Sequence, residues 1–600
     1  MTTEQPSAVA PPLPPGVRPV LPVQPSEPTA PAGPADPSGP EEPGRRSFLA
    51  KAFGVTALLS AAGSALGLLR DLLLARYFGA SQGTDAFLVA WTVPETAAPL
   101  LIEDAMAFLM VPAFSLALVL REERPQGPDP VRQLVRATLP WLLLALCALA
   151  AATALGAPQL VELLAPGLAD PGLAVTCTRV TALTVLPFGV AGYLGSALRA
   201  HHRFTAPAGI YVAYNLGILA VLLTGHGLLG VTSAAVGVAL GSLLMAGVLI
   251  GPFVRSLRPG RRRRRARRGA AGQGLVLIPL AILPVAAFTL TRQAQVFIER
   301  YLGSGLPPGT ISHLNYAAKV SQLAMTAAIL ICTVTFPLVA RALAAGDLAA
   351  ARDRVEKDLG QAAALVLVGT AFLMACAPSM VSLLFERGAF GPADTAATAA
   401  VIRVYSFGLP AQALIGVMVR PFFSVRPVVR RAAEVLPGGG GPAGPPRPAA
   451  GGRGALLDWY PVAAMAAGLV VTVAVSLAAT PRFGALGLAA GNAAGITAAA
   501  ALLLRGLLLR GIALRLPKVL GGQARLLAAA VGAALLGAPA GRLTANPLLS
   551  TVTGGACVLL VFAALGTVFG AGEVRGPVLA LVRAVYPSPP AAEGKLPDGR

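Results

Sequence analysis

Ionisable side chains inside long apolar stretches are the residues of this sequence best suited to chemistry. Arg70 and Asp71 interrupt one apolar run, Asp85 stands at the start of the next, and Glu103 lies well inside that second run. A charge at membrane depth is costly, so such residues usually face a polar cavity, pair with one another or mark a substrate path. We therefore expect these residues to lie along a polar space between helices.

The roles of the charges in this first group are open at the level of sequence. Arg70 and Asp71 are adjacent, so on a helix their side chains point about 100° apart and should face different neighbours. Arg70 would then face a cavity and hold an anionic group while Asp71 pairs with another helix. A structural ion pair, or snorkelling of Arg70 to an interface, is the alternative. For Glu103, transport coupling and structural pairing are equally open.

A second group of charges follows in the later part of the chain. Arg292 and Glu299 are seven residues apart, which places them on one face of a helix, and Lys319 lies in the next apolar run. Arg70, Arg292 and Lys319 together predict a cationic site for a pyrophosphate, which Arg binds bidentately and Lys as a point charge. We assign gate or coupling roles to the carboxylates Asp71, Asp85, Glu103 and Glu299.

Other chemistries lack a motif in this sequence. The four histidines and five cysteines are scattered, so we expect neither a metal site nor a cofactor. No constellation outside the apolar runs suits acid–base catalysis, so the protein is not predicted to be an enzyme. A phosphate-binding GxxxxGK[ST] loop is also missing from the sequence, which favours an ion gradient or the membrane potential over ATP as the driving force.

The elements that position these charges are predicted to be membrane-spanning helices. The chain has 600 residues, of which 55% are hydrophobic and 12% charged, and its mean hydropathy is +0.69. These values predict an all-α polytopic membrane protein with about fourteen transmembrane helices, each about 20 residues long. The predicted spans lie near 53–75, 86–113, 134–155, 174–197, 208–225, 229–253, 274–298, 311–338, 360–385, 397–419, 459–479, 484–504, 524–541 and 549–570.

The basic residues indicate an orientation. The net charge is +21, and the Lys and Arg residues concentrate in alternate loops, as the positive-inside rule expects of cytoplasmic loops. Both termini are therefore predicted to be cytoplasmic. The run Arg261–Arg268 resembles a nucleic-acid patch, but between two spans it is better interpreted as an anchor to anionic lipids. No nucleic-acid partner is predicted.

The two halves of the membrane part echo each other. ARYFGASQGTDAFLVA is similar to ERYLGSGLPPGTISHLNYA, and LLGVTSAAVGVALG is similar to RFGALGLAAGNAAG. The order and sense of the matches predict two six-helix lobes related by a parallel pseudo-twofold axis, plus two C-terminal helices. The predicted divisions are a Pro/Ala-rich disordered tail (1–46), the N-lobe (47–254), an Arg-rich loop (255–273), the C-lobe (274–510) with a Gly/Pro linker (436–454), the last two spans (511–572) and a polar tail (573–600).

Glycines recur at four-residue spacing in the second pair of matching segments. They are Gly487, Gly491 and Gly495 in one segment and Gly237 and Gly241 in the other. We interpret them as surfaces for close helix packing rather than as substrate contacts.

The charged segments carry a resemblance to a known family. LGLLRDLLLARYFGASQGTDAFLVAWTVP, LRAHHRFTAPA, RQAQVFIERYLGSGLPPGTISHLNYAAKV and LLFERGAFGPADTAATAAVIRVYSFGLPAQAL occur in the order typical of the MviN/MurJ family of lipid II flippases. This family is part of the multidrug/oligosaccharidyl-lipid/polysaccharide exporter superfamily. The resemblance covers roughly residues 55–515. It implies a protein of the bacterial cytoplasmic membrane with two lobes around a cationic cavity. By the same resemblance, the protein would move a polyprenyl-pyrophosphate-linked peptidoglycan precursor by alternating access.

Several residues match or depart from the family pattern. By resemblance, Arg70 is a cavity arginine, Asp85 lies near an outer gate and Glu103 matches a glutamate of the second helix. Lys319 stands where the family usually has an arginine. Cavity arginines of the family are replaced here by Ser64, Ala98 and Pro99, and Arg292 adds a charge where the family commonly has a small or polar residue.

The resemblance therefore predicts a lipid II flippase that binds a lipid-linked glycan precursor and membrane lipids. Cell-wall synthesis proteins would be its partners, through the cytoplasmic tail. The alternatives are export of another lipid-linked oligosaccharide, favoured by the missing arginines, and a transport-inactive paralogue that serves as a cell-wall scaffold.

Overall fold

The computed structural model describes residues 43–123, 128–257, 279–345, 347–423 and 453–585, and every regular element in these ranges is a helix. The chain divides after Gly54. The described residues before this point form the first turns of α1, and all that follows concerns the unit that begins at Val55. The predictions for the tails, the Arg-rich loop and the Gly/Pro linker fall wholly or mostly outside the described residues.

The first half of the described chain contains ten helices. They are α1 (Pro43–Phe78), α2 (Gln82–Ala98), α3 (Ala105–Glu123), α4 (Pro130–Leu155), α5 (Ala157–Leu164), α6 (Pro171–Ala182), α7 (Val185–Ala200), α8 (Thr205–Ala208), α9 (Ile210–Leu229) and α10 (Thr232–Ser256). A π-helical segment, Pro99–Asp104, joins α2 to α3.

The second half contains eleven described helices. They are α11 (Pro279–Gly303), α12 (Thr310–Ala345), α13 (Leu348–Phe385), α14 (Pro392–Ser406), α15 (Leu409–Met418), α16 (Arg420–Phe423), α17 (Arg453–Phe483), α18 (Ala485–Leu509), α19 (Leu516–Gly541), α20 (Pro547–Val568) and α21 (Gly572–Val585).

The predicted all-α membrane architecture is confirmed, but the count of fourteen spans is not. Eleven helices of the described residues are long and apolar enough to cross a membrane, and the bent pair α14–α15 raises the number to twelve. The expected spans at 274–298 and 311–338 are helical, as α11 and α12, yet they are not among these. For α11 the physical reason is its polar second half, where charged and amide side chains such as Arg292, Gln293 and Glu299 lower the hydropathy. The side chains of residues 326–338, the apolar part of α12, lie outside the described part of the chain.

Three of the expected spans are interrupted, and a proline lies at or next to two of the breaks. The π-helical segment interrupts the expected span 86–113 and begins at Pro99, which has no backbone N–H to donate. The expected span 397–419 bends by 43° between α14 and α15, next to Pro410. The expected span 174–197 is divided into α6 and α7 at Leu183 and Thr184.

The described helices pack around three large apolar cores, beside a small fourth cluster of Ala86, Val161 and Ala174. The first core, among α1–α10, includes Phe87, Phe188 and Tyr214, and the second, among α11–α18, includes Phe288, Phe385 and Phe422. We call these two groups the first bundle and the second bundle. A third core joins α13 to α19, α20 and α21, with members such as Leu367, Leu526, Val558, Phe562 and Val574.

The bundles interlock where their echoing turns meet. Ala75 of α1 belongs to the second core, and Ile311 of α12 belongs to the first. At Gly309, which has a φ of +91°, a Cβ atom would lie 2.6 Å from the carbonyl oxygen of Ala80. Only glycine combines this backbone conformation with so close an approach. The turn after α1 therefore lies directly against the turn before α12.

The predicted packing role of the spaced glycines is confirmed. A Cβ at Gly487 would lie 2.6 Å from the backbone nitrogen of Thr480, so α17 and α18 meet backbone to backbone. In the first bundle, a Cβ at Gly237 of α10 would lie 3.1 Å from the Cα of Ile218 in α9, so these two backbones are also close. Small residues allow helices to approach this closely in a membrane.

Candidate substrate-binding cavity

A polar cavity of about 410 Å³ lies between the two bundles. The second bundle supplies most of its lining, from α11, α12, α14, α15, α17 and α18, and α2 of the first bundle contributes Glu95. Its charged lining residues are Glu95, Arg292, Glu299, Arg300 and Lys319. A concave space with a few convergent polar groups is the kind of site that binds a small ligand or a headgroup.

Lys319 pairs with Glu95 across the cavity. The Nζ atom of Lys319 lies 3.1 Å from Oε1 of Glu95, and the two side chains are 25% and 22% exposed. The other carboxylate oxygen of Glu95, Oε2, is buried and has no hydrogen-bond partner among the described residues. The side-chain amide of Gln293 donates to the backbone oxygen of Glu95 at 3.4 Å, which links α2 to α11 at this point. Glu95 is thus a half-satisfied carboxylate held beside the cavity lysine.

Glu299 lies in a hydrogen-bonded group at the cavity wall. Its Oε1 accepts from the side-chain amides of Asn492 at 2.7 Å and Gln295 at 3.1 Å. The amide of Asn492 also donates to the Tyr405 hydroxyl at 2.6 Å. The expected common face of Arg292 and Glu299 is confirmed, because both side chains line the cavity. The gate or coupling role of Glu299 stays a prediction.

Two arginines complete the charge of the cavity. Arg300 is 2% exposed, and its guanidinium donates to Asn315 Oδ1 at 3.4 Å, whereas its buried Nε has no partner among the described residues. Arg292 is exposed, and the described residues include no ion-pair partner for it. The lining therefore holds three cations and two carboxylates, which leaves it able to accept an anionic group.

Arg70 lies beside this cavity in a small pocket of its own, which Asn315 and Lys319 also line. Its guanidinium pairs with Asp71 at 2.7 Å and lies 4.9 Å from the ring centre of Trp91. The expectation that Arg70 and Asp71 face different neighbours is wrong: the long Arg70 side chain bends back to its neighbour's carboxylate. The structure contains the Arg70–Asp71 ion pair, which was the alternative interpretation of the sequence. Binding of cargo by Arg70 stays a prediction.

Asp85 connects the bundles at the echoing turns. It is 5% exposed, and its carboxylate accepts from the N–H groups of Gly309 at 2.6 Å and Ser312 at 2.8 Å. The hydroxyl of Ser312 donates a further bond at 2.6 Å. Since the first N–H groups of a helix lack partners and attract negative charge, Asp85 caps α12 from another bundle. This position suits the predicted outer gate.

Glu103 is not brought to the cavity. It lies in the π-helical segment and accepts a short hydrogen bond from the hydroxyl of Tyr211 in α9. A π-helical turn rotates the following residues relative to a regular helix, and the segment that begins at Pro99 carries Glu103 to α9. Its coupling role stays a prediction, and the contact made here is a structural one within the first bundle.

Sequence reasoning missed Glu95 and Arg300 as cavity residues. Glu95 had a usable signal, because it is an ionisable residue inside the expected span 86–113, the criterion that selected Glu103. Arg300 lies two residues past the expected span 274–298 and directly follows Glu299, which was selected. Glu95 also follows Pro94 directly, and a proline inside a helix marks a place where the backbone departs from regularity.

Comparisons with known proteins agree with this architecture. The family model of the lipid II flippase MurJ matches residues 74–429, more than half of the chain. The chain belongs to the MurJ family. A relative named probable lipid II flippase MurJ, from Rhizobium meliloti, is 29% identical over 63% of this chain and 70% of its own length. The lipid II flippase MurJ of Burkholderia cenocepacia is 27% identical over 63% of this chain and 76% of its own.

Solved structures support the fold alone, since their sequences are distant. A lipid II flippase MurJ in an inward closed conformation has a TM-score of 0.63 at 17% identity, over 86% of this chain and 98% of its own. An inward-facing multidrug resistance transporter of the MATE family has a TM-score of 0.57 at 13% identity, over 76% of this chain and 98% of its own. This chain is thus a multi-pass membrane protein of a transporter family.

Proposed function

We propose that this protein moves lipid II, the polyprenyl-pyrophosphate-linked peptidoglycan precursor, across the bacterial cytoplasmic membrane by alternating access. The observation that carries the proposal is the cavity between the bundles, with Arg292, Arg300 and Lys319 in its lining. A pyrophosphate headgroup presents two adjacent anionic phosphates, and Arg and Lys side chains are its usual partners. Membership of the MurJ family supports lipid II as the cargo.

Two features support alternating access. The cavity lies at the boundary of the bundles, and Asp85 holds them together at the echoing turns. If the bundles rock about the cavity, the Asp85 contacts are made in one state and broken in the other, which is the plan of transporters built from repeats. The reaction leaves the cargo covalently unchanged, and the driving force would be an ion gradient or the membrane potential.

The orientation of the protein in the membrane is part of the same proposal. Both termini would lie in the cytoplasm, so the Asp85 turns would face outward and cargo would enter from the cytoplasmic leaflet. Protein partners in cell-wall synthesis would meet the cytoplasmic tail. Reporter domains fused to Arg600 test the cytoplasmic location of this end of the chain. A reporter that works only in the cytoplasm should be active in the fusion, and a reporter that works only outside the membrane should be inactive.

Complementation tests the function. A bacterial strain with conditional depletion of its own lipid II flippase is supplied with the wild-type protein, Lys319→Gln or Lys357→Gln. Lys357 is an exposed lysine that does not line the cavity, so its variant removes the same charge elsewhere. We expect the wild type and Lys357→Gln to restore growth and Lys319→Gln to fail.

Insertion of each variant is checked by its abundance in the membrane fraction. Failure of the inserted wild type to restore growth would contradict lipid II as the cargo and favour another lipid-linked oligosaccharide or a scaffold. Growth supported equally by Lys319→Gln would contradict a role for the cavity.

A further inference from the structure

Glu95 places a negative charge where an anionic cargo must bind. Its Oε1 lies 3.1 Å from the Nζ of Lys319, and a phosphate oxygen would need the same ammonium group. We propose that Glu95 is an internal counter-ion, which pairs with Lys319 while no cargo is bound and is replaced there by a phosphate of the cargo. This inference rests on the proposed function.

The geometry of the pair favours such an exchange over a fixed structural link. Both side chains keep partial exposure to the cavity, at 25% for Lys319 and 22% for Glu95, so an incoming anion can reach the pair. Glu95 makes this contact with one oxygen only, and its buried Oε2 has no hydrogen-bond partner among the described residues. By contrast, both carboxylate oxygens of Asp85 accept hydrogen bonds, three in all, and the residue is only 5% exposed, so an incoming anion cannot reach it in the same way.

A counter-ion for Lys319 is needed in the part of the cycle in which no cargo is bound. Without Glu95, Lys319 would stand unpaired between helices whenever cargo is absent, and an unpaired charge at this depth is unfavourable. The pair neutralises Lys319 during the return of the empty protein. The same pair weakens the binding of cargo, because the Lys319–Glu95 ion pair must break before a phosphate can pair with the Lys319 ammonium group.

The position of the pair links this exchange to movement of the bundles. Glu95 belongs to α2 of the first bundle and Lys319 to α12 of the second, 224 residues apart in the sequence. Cargo that takes Lys319 therefore removes one contact between the bundles, and release of the cargo restores it. Glu95 is thus a positioning residue for the transport cycle, with opposite effects on binding and on turnover.

Purified protein in liposomes provides the test, with fluorescent lipid II as the probe. The dissociation constant for lipid II and the rate of its movement between leaflets at saturation are measured for the wild type, Glu95→Gln and Glu95→Asn. We expect both variants to bind lipid II about tenfold more tightly, because the competing charged contact is lost. The saturated rate should fall, because the empty state is no longer neutralised.

Glu162→Gln is the matched control, because it removes the same charge from an exposed position of α5 outside the cavity lining. It should leave both quantities at their wild-type values. Two variants of different size guard against a local packing defect, and thermal unfolding reports whether each is folded.

The possible failures are distinguishable. An unchanged dissociation constant in folded Glu95→Gln and Glu95→Asn, or an undiminished saturated rate, overturns the exchange while wild-type transport leaves the proposed function intact. A wild type that neither binds nor moves lipid II overturns the proposed function, and the exchange with it.

Discussion

Asp85 of α2 accepts two hydrogen bonds from Ser312 of α12, one from the backbone N–H at 2.8 Å and one from the hydroxyl at 2.6 Å. Together with the bond from Gly309, they make a carboxylate of the first bundle the N-terminal cap of a helix in the second. Opening of the bundles at this end must break the cap. The strength of the cap therefore sets part of the balance between the two states.

Replacing Asp85 by Asn is expected to favour opening at the echoing turns. The amide keeps the shape of the side chain but loses the charge, which weakens the cap by about 1.5–3 kcal/mol. Hydrogen–deuterium exchange of the backbone over 309–312 should become faster. Asp129→Asn is the control, because Asp129 caps α4 within the first bundle by accepting from Val131 at 3.0 Å. Unchanged exchange in Asp85→Asn would refute this role.

Arg70 and Asp71 are expected to depend on each other. Asp71 is 6% exposed, so removing Arg70 leaves a buried carboxylate without its ion-pair partner, at a cost of about 3 kcal/mol in the free energy of unfolding. A double-mutant cycle with Arg70→Ala and Asp71→Ala in detergent measures the coupling. The double variant should lose clearly less stability than the sum of the single losses. Strict additivity would show that the pair contributes nothing.

Gly495 should tolerate no side chain. A Cβ there would run into the Thr472 hydroxyl and the carbonyl oxygen of Gly468, both in α17. We expect Gly495→Val to lower the free energy of unfolding by about 1–3 kcal/mol through overpacking. Gly247→Val is the control, since Gly247 in α10 is exposed and a Cβ there meets nothing within 4 Å. Equal losses in the two variants would argue against the close packing of α17 and α18.

Glu299 is expected to affect the energy coupling of transport more than the binding of cargo. Its carboxylate is 7% exposed and faces the cavity, where it accepts from Asn492 and Gln295. In liposomes, Glu299→Gln should bind lipid II as the wild type does but respond less to an imposed ion gradient or membrane potential. Glu386→Gln, outside the cavity lining, is the control. A variant with the wild-type response would remove Glu299 from the coupling machinery.

The helical membrane architecture could be predicted from the sequence because its signal is local. Apolar runs of sufficient length, separated by basic or polar loops, correspond to the helices found. The breaks in the helices were harder to predict from the sequence. Pro99 and Pro410 lie inside expected spans, and a proline alone does not determine whether a helix ends, bends or forms a π-helical turn. The second half of α11, which contains Arg292, Gln293 and Glu299, shows that a helix lining a cavity need not carry a full apolar signal.

The cavity could be predicted only in part, because its key contacts are long-range. Periodicity placed Arg292 and Glu299 on one face of a helix, which is correct. It could not show that Lys319 meets Glu95, which lies 224 residues away. It also misjudged Arg70, because the angle between adjacent positions on a helix ignores the reach of a flexible arginine side chain.

The most direct test of lipid II transport through the cavity is the movement of lipid II by the purified protein. Lipid II is placed in one leaflet of liposomes containing the wild type, Lys319→Gln or Lys357→Gln, and its appearance in the other leaflet is followed with a membrane-impermeant reagent. We expect the wild type and Lys357→Gln to transfer lipid II, and Lys319→Gln to transfer it no faster than protein-free liposomes do. No transfer by the wild type, or equal transfer by Lys319→Gln, would contradict lipid II transport through the cavity.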